Sequence, residues 1–193
     1  LAQLSDSMDD DSLESRLDIY NILAELLEQN EEIADVQSIL AELNEEVKDY
    51  PAAFEAYKAR LSIYPTDLPT NQKLTELYIK LKNLPKAVET LHYMLTFTAE
   101  PKFLLWIFEK LIDIYVETEE YEKAIEYSNR MLEVQGSDKF KIRNDIAMFN
   151  IKLNNVETGI NILEELVMMS QNGYDVTIEL ADTYIKRKEY QKA

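Results

Sequence analysis

A motif that returns every 34 to 37 residues constrains this chain more than any other feature of its sequence. Apolar side chains within each copy recur at three- and four-residue intervals, which is the spacing of one helix face. Repeats of this length are typical of two-helix units that stack on one another. The sequence therefore predicts an all-α, right-handed α-solenoid of antiparallel helix pairs without β-strands. The copies are marked by one small residue each, separated by 34, 37, 35 and 34 residues, at Ala53, Ala87, Ala124, Gly159 and Ala193.

These small residues have a physical explanation. Two antiparallel helices joined by a short turn approach closely only where one of the facing side chains is minimal. Each small residue is therefore expected to be buried at a helix crossing.

Turn residues indicate where the helices begin and end. Pro51 and Pro85 fall in the first turn of a helix, where the missing N–H of proline costs nothing. Pro65 ends the helix that begins near Pro51, and Asn172-Gly173 is a turn signal. Helices are predicted over about 32–47, 51–63, 68–82, 85–97, 102–117, 121–134, 138–152, 156–170 and 174–187.

The start of the chain is strongly acidic. The whole chain has a net charge of −17, and residues 1–32 contain ten Asp or Glu residues against a single Arg16. Residues 1–11 show no sustained period and are predicted to be an acidic, mobile lead-in. Asp11 and Glu14 have the spacing of a capping box, which predicts a leading helix over about 12–30.

The charge excludes two classes of partner. An acidic chain is repelled by the phosphates of nucleic acid and by anionic membrane surfaces. The longest apolar run, residues 103–108, is far shorter than the roughly 20 residues that cross a bilayer. We therefore predict no nucleic-acid partner, no direct membrane insertion of this segment and a cytoplasmic location. The acidity itself serves either solubility or contact with a basic partner.

The residues offer little for catalysis. The chain has no cysteine and a single histidine, His92, beside Leu91 in a predicted helix. Asp9, Asp10 and Asp11 lack the alternating ligands, the turn glycine and the closing glutamate of a calcium-binding loop. The sequence predicts a non-catalytic protein without a metal site or a cofactor.

The repeat pattern resembles the tetratricopeptide repeat (TPR) family. The resemblance is clearest in Leu111-Ile112-x-x-Tyr115 followed by Tyr121-x-x-Ala124, and in Leu180-Ala181-x-x-Tyr184 followed by Tyr190-x-x-Ala193. It implies a TPR solenoid over 12–193, with repeats over about 34–67, 68–101, 102–137, 138–173 and an incomplete 174–193. The chain departs from the family pattern where Gln37, Asn71, Arg143 and Thr177 replace the aromatic residue that often opens helix A.

In the TPR family the first helix of each repeat, helix A, lines a concave groove in which peptides or partner helices lie. By helix phase, the resemblance places mainly acidic residues on this face of the first three repeats and mixed residues on the later ones. Candidate partner-binding residues are Glu42, Glu45, Glu76, Trp106, Glu109, Asp113, Glu117, Asn144 and Met148.

Two functions follow from this resemblance. The first is an adaptor or scaffold that binds a basic or amphipathic segment of a partner protein or peptide in the groove. The alternative is a structural spacer or regulatory TPR segment of a larger multidomain protein. Trp106 bears on this choice because it either packs in the core between repeats or forms an exposed binding hot spot.

The last repeat leaves an apolar helix face without a cover. A TPR array normally ends in a helix with a polar outer face, yet the final helix is cut short at residues 190–193. We therefore expect the natural chain to continue beyond Ala193. Self-association through uncapped ends is also expected to be possible.

Overall fold

The computed structural model describes residue 18 and residues 33–46, 48–169 and 174–186 of the chain. The predicted lead-in, the leading helix apart from Asp18, and the residues after 186 lie outside the described part. Every regular element within it is an α-helix, and each observed helix begins and ends within two residues of its predicted bounds. The helices are α1 Ile33–Glu46, α2 Tyr50–Ile63, α3 Leu68–Lys80, α4 Leu84–Leu95, α5 Pro101–Glu117, α6 Tyr121–Leu132, α7 Lys139–Lys152, α8 Val156–Met169 and α9 Tyr174–Lys186.

The chain divides into two compact units, Leu1–Phe97 and Thr98–Ala193. Successive helices pack against one another within each unit, from α1 to α4 in the first and from α5 to α9 in the second. The odd-numbered helices are the A helices of the predicted repeats, and α2, α4, α6 and α8 are the B helices. The predicted all-α fold of antiparallel helix pairs is confirmed.

Small and large apolar residues alternate in the cores. In the first unit, Ala53 and Ala56 of α2 are buried together with Tyr57, Leu74 and Leu77. The alanines let the helices approach while the large side chains fill the space on either side. The corresponding buried cluster of the second unit consists of Ala147, Leu163, Leu166 and Val176.

The predicted role of the small residues is confirmed most directly at Gly159. A Cβ atom added to this residue would lie 2.5 Å from Cγ1 of Ile151 and 2.8 Å from the carbonyl oxygen of Ala147. Real Cβ atoms essentially never approach other heavy atoms so closely. Helix α8 therefore crosses α7 at a distance that only glycine permits. The equivalent residues Ala53, Ala87 and Ala124 are fully buried.

The four turns between A and B helices share a backbone conformation that the sequence pattern did not reveal. One residue in each turn has a φ of +58° to +65°, although none of the four is glycine. The next residue donates its N–H to the carbonyl oxygen five positions earlier at 2.7–2.8 Å, as in a Schellman motif. The left-handed residues are Lys48, Lys82, Glu119 and Asn154.

This conformation leads to a prediction at Glu119, which is exposed and has a φ of +59°. A non-glycine residue in the left-handed region costs about 1–2 kcal/mol, and glycine loses about 0.5–1 kcal/mol more backbone entropy on folding. Glu119→Gly should therefore raise the free energy of unfolding by about 0.5–1 kcal/mol, as measured by urea denaturation. Glu126→Gly, in the exposed interior of α6, should lower it by about 1 kcal/mol. If Glu119→Gly and Glu126→Gly changed the free energy of unfolding in the same direction, the result would contradict the left-handed conformation of Glu119.

Candidate partner-binding surface

The predicted partner-binding residues all lie on A helices, as helix phase required. Five of them are exposed, namely Glu42, Glu76, Glu109, Asp113 and Glu117. The other four, Glu45, Trp106, Asn144 and Met148, are half-buried. The structure groups Glu42 with Glu45 in the first unit and Glu109 with Asp113 in the second.

The first unit carries a recess of about 300 Å³ between α1 and α3, lined only by charged residues. Lys73 Nζ lies 3.6 Å from an oxygen of Glu42, and Lys80 Nζ lies 3.8 Å from an oxygen of Glu45. Because two lysines of α3 face these carboxylates, the surface is less negative than the acidic residues of α1 alone suggest. The sequence pattern does not reveal these ion pairs, because they join helices from different repeats.

Glu45 is held in place from the core side as well. The fully buried Tyr57 donates its hydroxyl to an oxygen of Glu45 at 2.7 Å. Burial and this hydrogen bond to a carboxylate both raise the pKa of Tyr57 well above its usual value. Tyr57 is therefore a neutral hydrogen-bond donor that fixes the orientation of Glu45.

In the second unit, one face of α5 carries Trp106 and three carboxylates. Residues 106, 109, 113 and 117 follow the three- and four-residue spacing of a single helical stripe. Glu109, Asp113 and Glu117 are exposed, while the neighbouring Ile107 and Phe108 point into the core at 0% and 4% exposure. Trp106 is neither fully buried nor fully exposed, so part of its ring is open to contact beside this acidic stripe.

A second recess, of about 150 Å³, lies between α5, α6 and α7. We call it the acidic recess because four carboxylates and one lysine line its sides, namely Glu109, Asp113, Asp138, Asp145 and Lys141. Ile112, Met131 and Ile142 supply its apolar walls, and Ser128 of α6 completes it. Lys110 lies nearby, with its Nζ 3.8 Å from an oxygen of Asp113.

Two carboxyl groups of the recess, those of Asp113 and Asp145, have raised pKa values. The surrounding helices partly desolvate the carboxyl group of Asp113 and raise its pKa, although 64% of the side chain is exposed; Glu109 adds to the rise, while Lys110 and Lys141 oppose it. Burial is also the main cause of the raised pKa of Asp145, opposed by Lys141 and reinforced by nearby carboxylates that include Asp113. A raised pKa means that the folded protein disfavours the charged form of both groups. A cation placed beside these two carboxyl groups would stabilise their charged forms.

Ser128 was not predicted as a functional residue. Its side chain is 1% exposed, and its Oγ has no hydrogen-bond partner among the described residues. The three buried threonine hydroxyl groups of the described residues do have partners: Thr70 donates to Asp67, Thr75 to the Asn71 carbonyl and Thr183 to the Glu179 carbonyl. An unpaired buried hydroxyl costs about 1–3 kcal/mol, so this one is unusual for a purely structural residue. No sequence signal singled it out, because a serine in a helix B is unremarkable until its surroundings are known.

Two further predicted residues, Asn144 and Met148, belong to a third region of the second unit, and Glu76 is exposed on α3 in the first unit. Met148 lines a cavity of about 470 Å³ between α7 and α9, with charged residues that include Lys152, Glu179, Asp182 and Lys186. Asn144 lies one turn earlier on α7, and its Oδ1 is buried without a partner among the described residues. This cavity mixes both signs of charge, as expected for the later repeats.

Neither a metal-ligand cluster nor a membrane-spanning helix is found in the part of the chain that the structure describes. No group of three or more Asp, Glu, His or Cys side chains in that part has an arrangement that could hold a metal ion. His92 is exposed on α4. Among the helices that are described, none has both the length and the apolar character needed to cross a membrane.

Solved structures with similar folds are TPR proteins. The structure of a tetratricopeptide repeat protein from Parabacteroides merdae aligns with 95% of this chain, and the alignment covers 70% of that protein's chain. The TM-score is 0.66 and the sequence identity is 18%. A structure of MamA matches 83% of this chain over 86% of its own (TM-score 0.63, 15% identity). YrrB, described as a TPR protein with an unusual peptide-binding site, matches 87% of this chain over 84% of its own (TM-score 0.60, 16% identity).

No protein-family model and no curated protein sequence matches the chain. The likeness is therefore one of three-dimensional structure, at 15–18% sequence identity. This chain has the fold of the tetratricopeptide repeat proteins, as its repeat pattern predicted.

Proposed function

We propose that this chain is a non-catalytic protein-interaction scaffold whose A helices bind a basic or amphipathic segment of a partner protein. The observation that carries the proposal is the stripe on α5, where the partly open ring of Trp106 lies on one face with the exposed Glu109, Asp113 and Glu117. An aromatic surface excludes water from an apolar contact, while nearby charges of one sign select and steer a partner of the opposite sign.

The similar structures support the binding role at the level of the fold. YrrB is described as having a peptide-binding site, and its fold is similar to that of this chain over 87% of the chain. Fold alone does not specify function. The residues on α5 indicate the kind of partner. The net charge of −17 agrees with a cationic partner, because it favours encounter with positive segments and disfavours acidic ones.

The proposal is tested by selecting ligands from a random-peptide display library and measuring their affinities by fluorescence anisotropy. We expect the selected peptides to combine Lys or Arg with apolar residues at helical spacing. A triple reversal, Glu109→Lys with Asp113→Lys and Glu117→Lys, should weaken their binding about tenfold at low salt. The loss should shrink at about 0.5 M salt, where exposed charges are screened.

A matched triple reversal on the B helix provides the control. Glu122, Glu126 and Glu133 are exposed on α6 or directly after it, and their reversal changes the net charge by the same amount. This control should keep most of the affinity, because it leaves the A-helix face intact. Equal losses of peptide affinity in both triple variants would show that the effect comes from overall charge and not from the A-helix face. Failure to enrich any basic peptide would favour the alternative, a structural spacer or regulatory segment within a larger protein.

A further inference from the structure

The acidic recess between α5, α6 and α7 has the features of a side-chain pocket. Its volume of about 150 Å³ is below the roughly 300–1,000 Å³ of pockets that enclose whole small molecules. Its apolar walls are formed by Ile112, Met131 and Ile142, and its rim is acidic. This combination suits a long side chain with an apolar stem and a charged end.

The charges around the recess favour a cation. Four carboxylates line it against Lys141, and Lys110 faces Asp113 from outside the lining, so two negative charges remain after both lysines are counted. Asp138 is partly engaged, because its side chain caps α7 by accepting the Lys141 N–H at 3.1 Å. The more available acceptors are therefore Glu109, Asp113 and Asp145.

The hydroxyl of Ser128 is an independent sign that the recess receives a ligand. Its oxygen is buried and has no partner among the described residues, although the residue lines the recess. A donor N–H that enters the recess would satisfy this oxygen. The recess also lacks the grouping of ligands that a metal ion requires, within the described part of the chain.

We propose that the acidic recess binds the side chain of a single lysine or arginine supplied by a partner. The stem lies against Ile112, Met131 and Ile142. The charged end contacts Asp113 and Asp145 and donates a hydrogen bond to Ser128 Oγ. This inference rests on the proposed scaffold function and specifies the residue that the bound segment must contribute.

The pocket is tested by NMR titration of the whole chain with small probes. The cationic probes are Nα-acetyl-lysine amide and Nα-acetyl-arginine amide, and the uncharged counterparts are the norleucine and citrulline compounds. The cationic probes are expected to give saturable shifts of the Ser128, Asp113 and Asp145 amide signals at millimolar concentration. The uncharged probes should not. No saturable shift at Ser128, or equal shifts with the uncharged probes, would overturn the inference.

Two variants distinguish a binding role from a structural one. Ser128→Ala should weaken the binding of the cationic probes about tenfold, because hydrogen bonds to charged groups are stronger than those between neutral groups. Asp145→Asn should have a similar effect. Glu126→Gln makes the same charge change on an exposed position of α6 outside the recess and should leave the affinity unchanged. Equal losses in Asp145→Asn and Glu126→Gln would also overturn the inference.

The thermal stability of Ser128→Ala and Asp145→Asn should not fall together with their affinity for the cationic probes. Ser128→Ala removes a buried hydroxyl without a partner, so the thermal midpoint should stay level or rise. A carboxyl group with a raised pKa contributes stability only at low pH, and this contribution is lost as pH rises through its folded-state pKa. Above that pKa the charged form of Asp145 is therefore unfavourable in the folded protein, and Asp145→Asn should not lower the midpoint. A lower midpoint in both variants would assign these residues to the fold and contradict the pocket.

The outcome also separates this pocket from the wider scaffold function. Selected peptides that depend on Glu109, Asp113 and Glu117 without shifting the Ser128 signal would support the scaffold and reject the pocket. Saturable binding of the cationic probes at Ser128, with no peptide selected, would support the pocket and reject the proposed scaffold function.

Discussion

Gly159→Ala is expected to lower the free energy of unfolding by about 2 kcal/mol, although alanine is the better helix former. In an exposed helix this substitution would gain about 1 kcal/mol from helix propensity. Here the added methyl group would lie 2.8 Å from the Ala147 carbonyl oxygen and 2.5 Å from Cγ1 of Ile151. Ile151 can adjust its rotamer, but the backbone carbonyl of α7 cannot move without displacing the helix. Overpacking of this kind costs up to about 3 kcal/mol, which outweighs the gain in propensity.

The measurement is urea denaturation monitored by circular dichroism, with Asn161→Ala as the control. Asn161 is an exposed residue of the same helix, two positions from Gly159. Its replacement improves helix propensity without approaching another helix, so a small increase in stability is expected. Stabilisation by Gly159→Ala similar to that of the control would show that α7 and α8 do not approach as closely as the structure indicates.

Trp106→Ala is expected to weaken the binding of a selected basic peptide by about 2 kcal/mol at both low and high salt. The ring is half-buried next to the acidic stripe of α5, so a ligand that covers it would remove apolar surface from water. Apolar contact is not screened by salt, whereas the contribution of Glu109, Asp113 and Glu117 is. The aromatic and acidic parts of the surface should thus separate by their salt dependence.

Trp106→Phe is the matched variant, because it keeps an aromatic ring and most of the packing against the core. It should retain more than half of the binding free energy that the alanine variant loses. The thermal midpoints of both variants must be measured alongside affinity, since part of Trp106 is buried. A peptide affinity that Trp106→Ala leaves intact, in a folded protein, would place the contact surface elsewhere on the chain.

The helices were predictable because their signals are local. The three- and four-residue periodicity, together with Pro51, Pro85 and the small crossing residues, acts within single helices and their adjoining turns. The bounds of α2 were predicted as 51–63 and observed as Tyr50–Ile63. The predicted ends of α3, α4 and α6 were two residues late. The reason at α3 is visible in the backbone, since Lys82 adopts a left-handed conformation that terminates the helix without glycine.

The candidate surface was only partly predictable. Helix phase placed the nine candidate residues on A helices, because phase depends only on spacing along one helix. It did not reveal that Lys73 and Lys80 neutralise part of the acidic surface in the first unit. It also did not reveal that Asp145 and Ser128 join Glu109 and Asp113 in one recess.

The sequence by itself determined the class of fold, the helix bounds to within two residues and the small residue at each helix crossing. These properties follow from periodicity, from local backbone preference and from the volume of one residue per repeat. The tertiary structure alone decided which carboxylates are paired, which are crowded and which hydroxyl is left without a partner. Ion pairing and burial depend on side chains that approach from neighbouring helices, and their distances are set by the packing of those helices against one another.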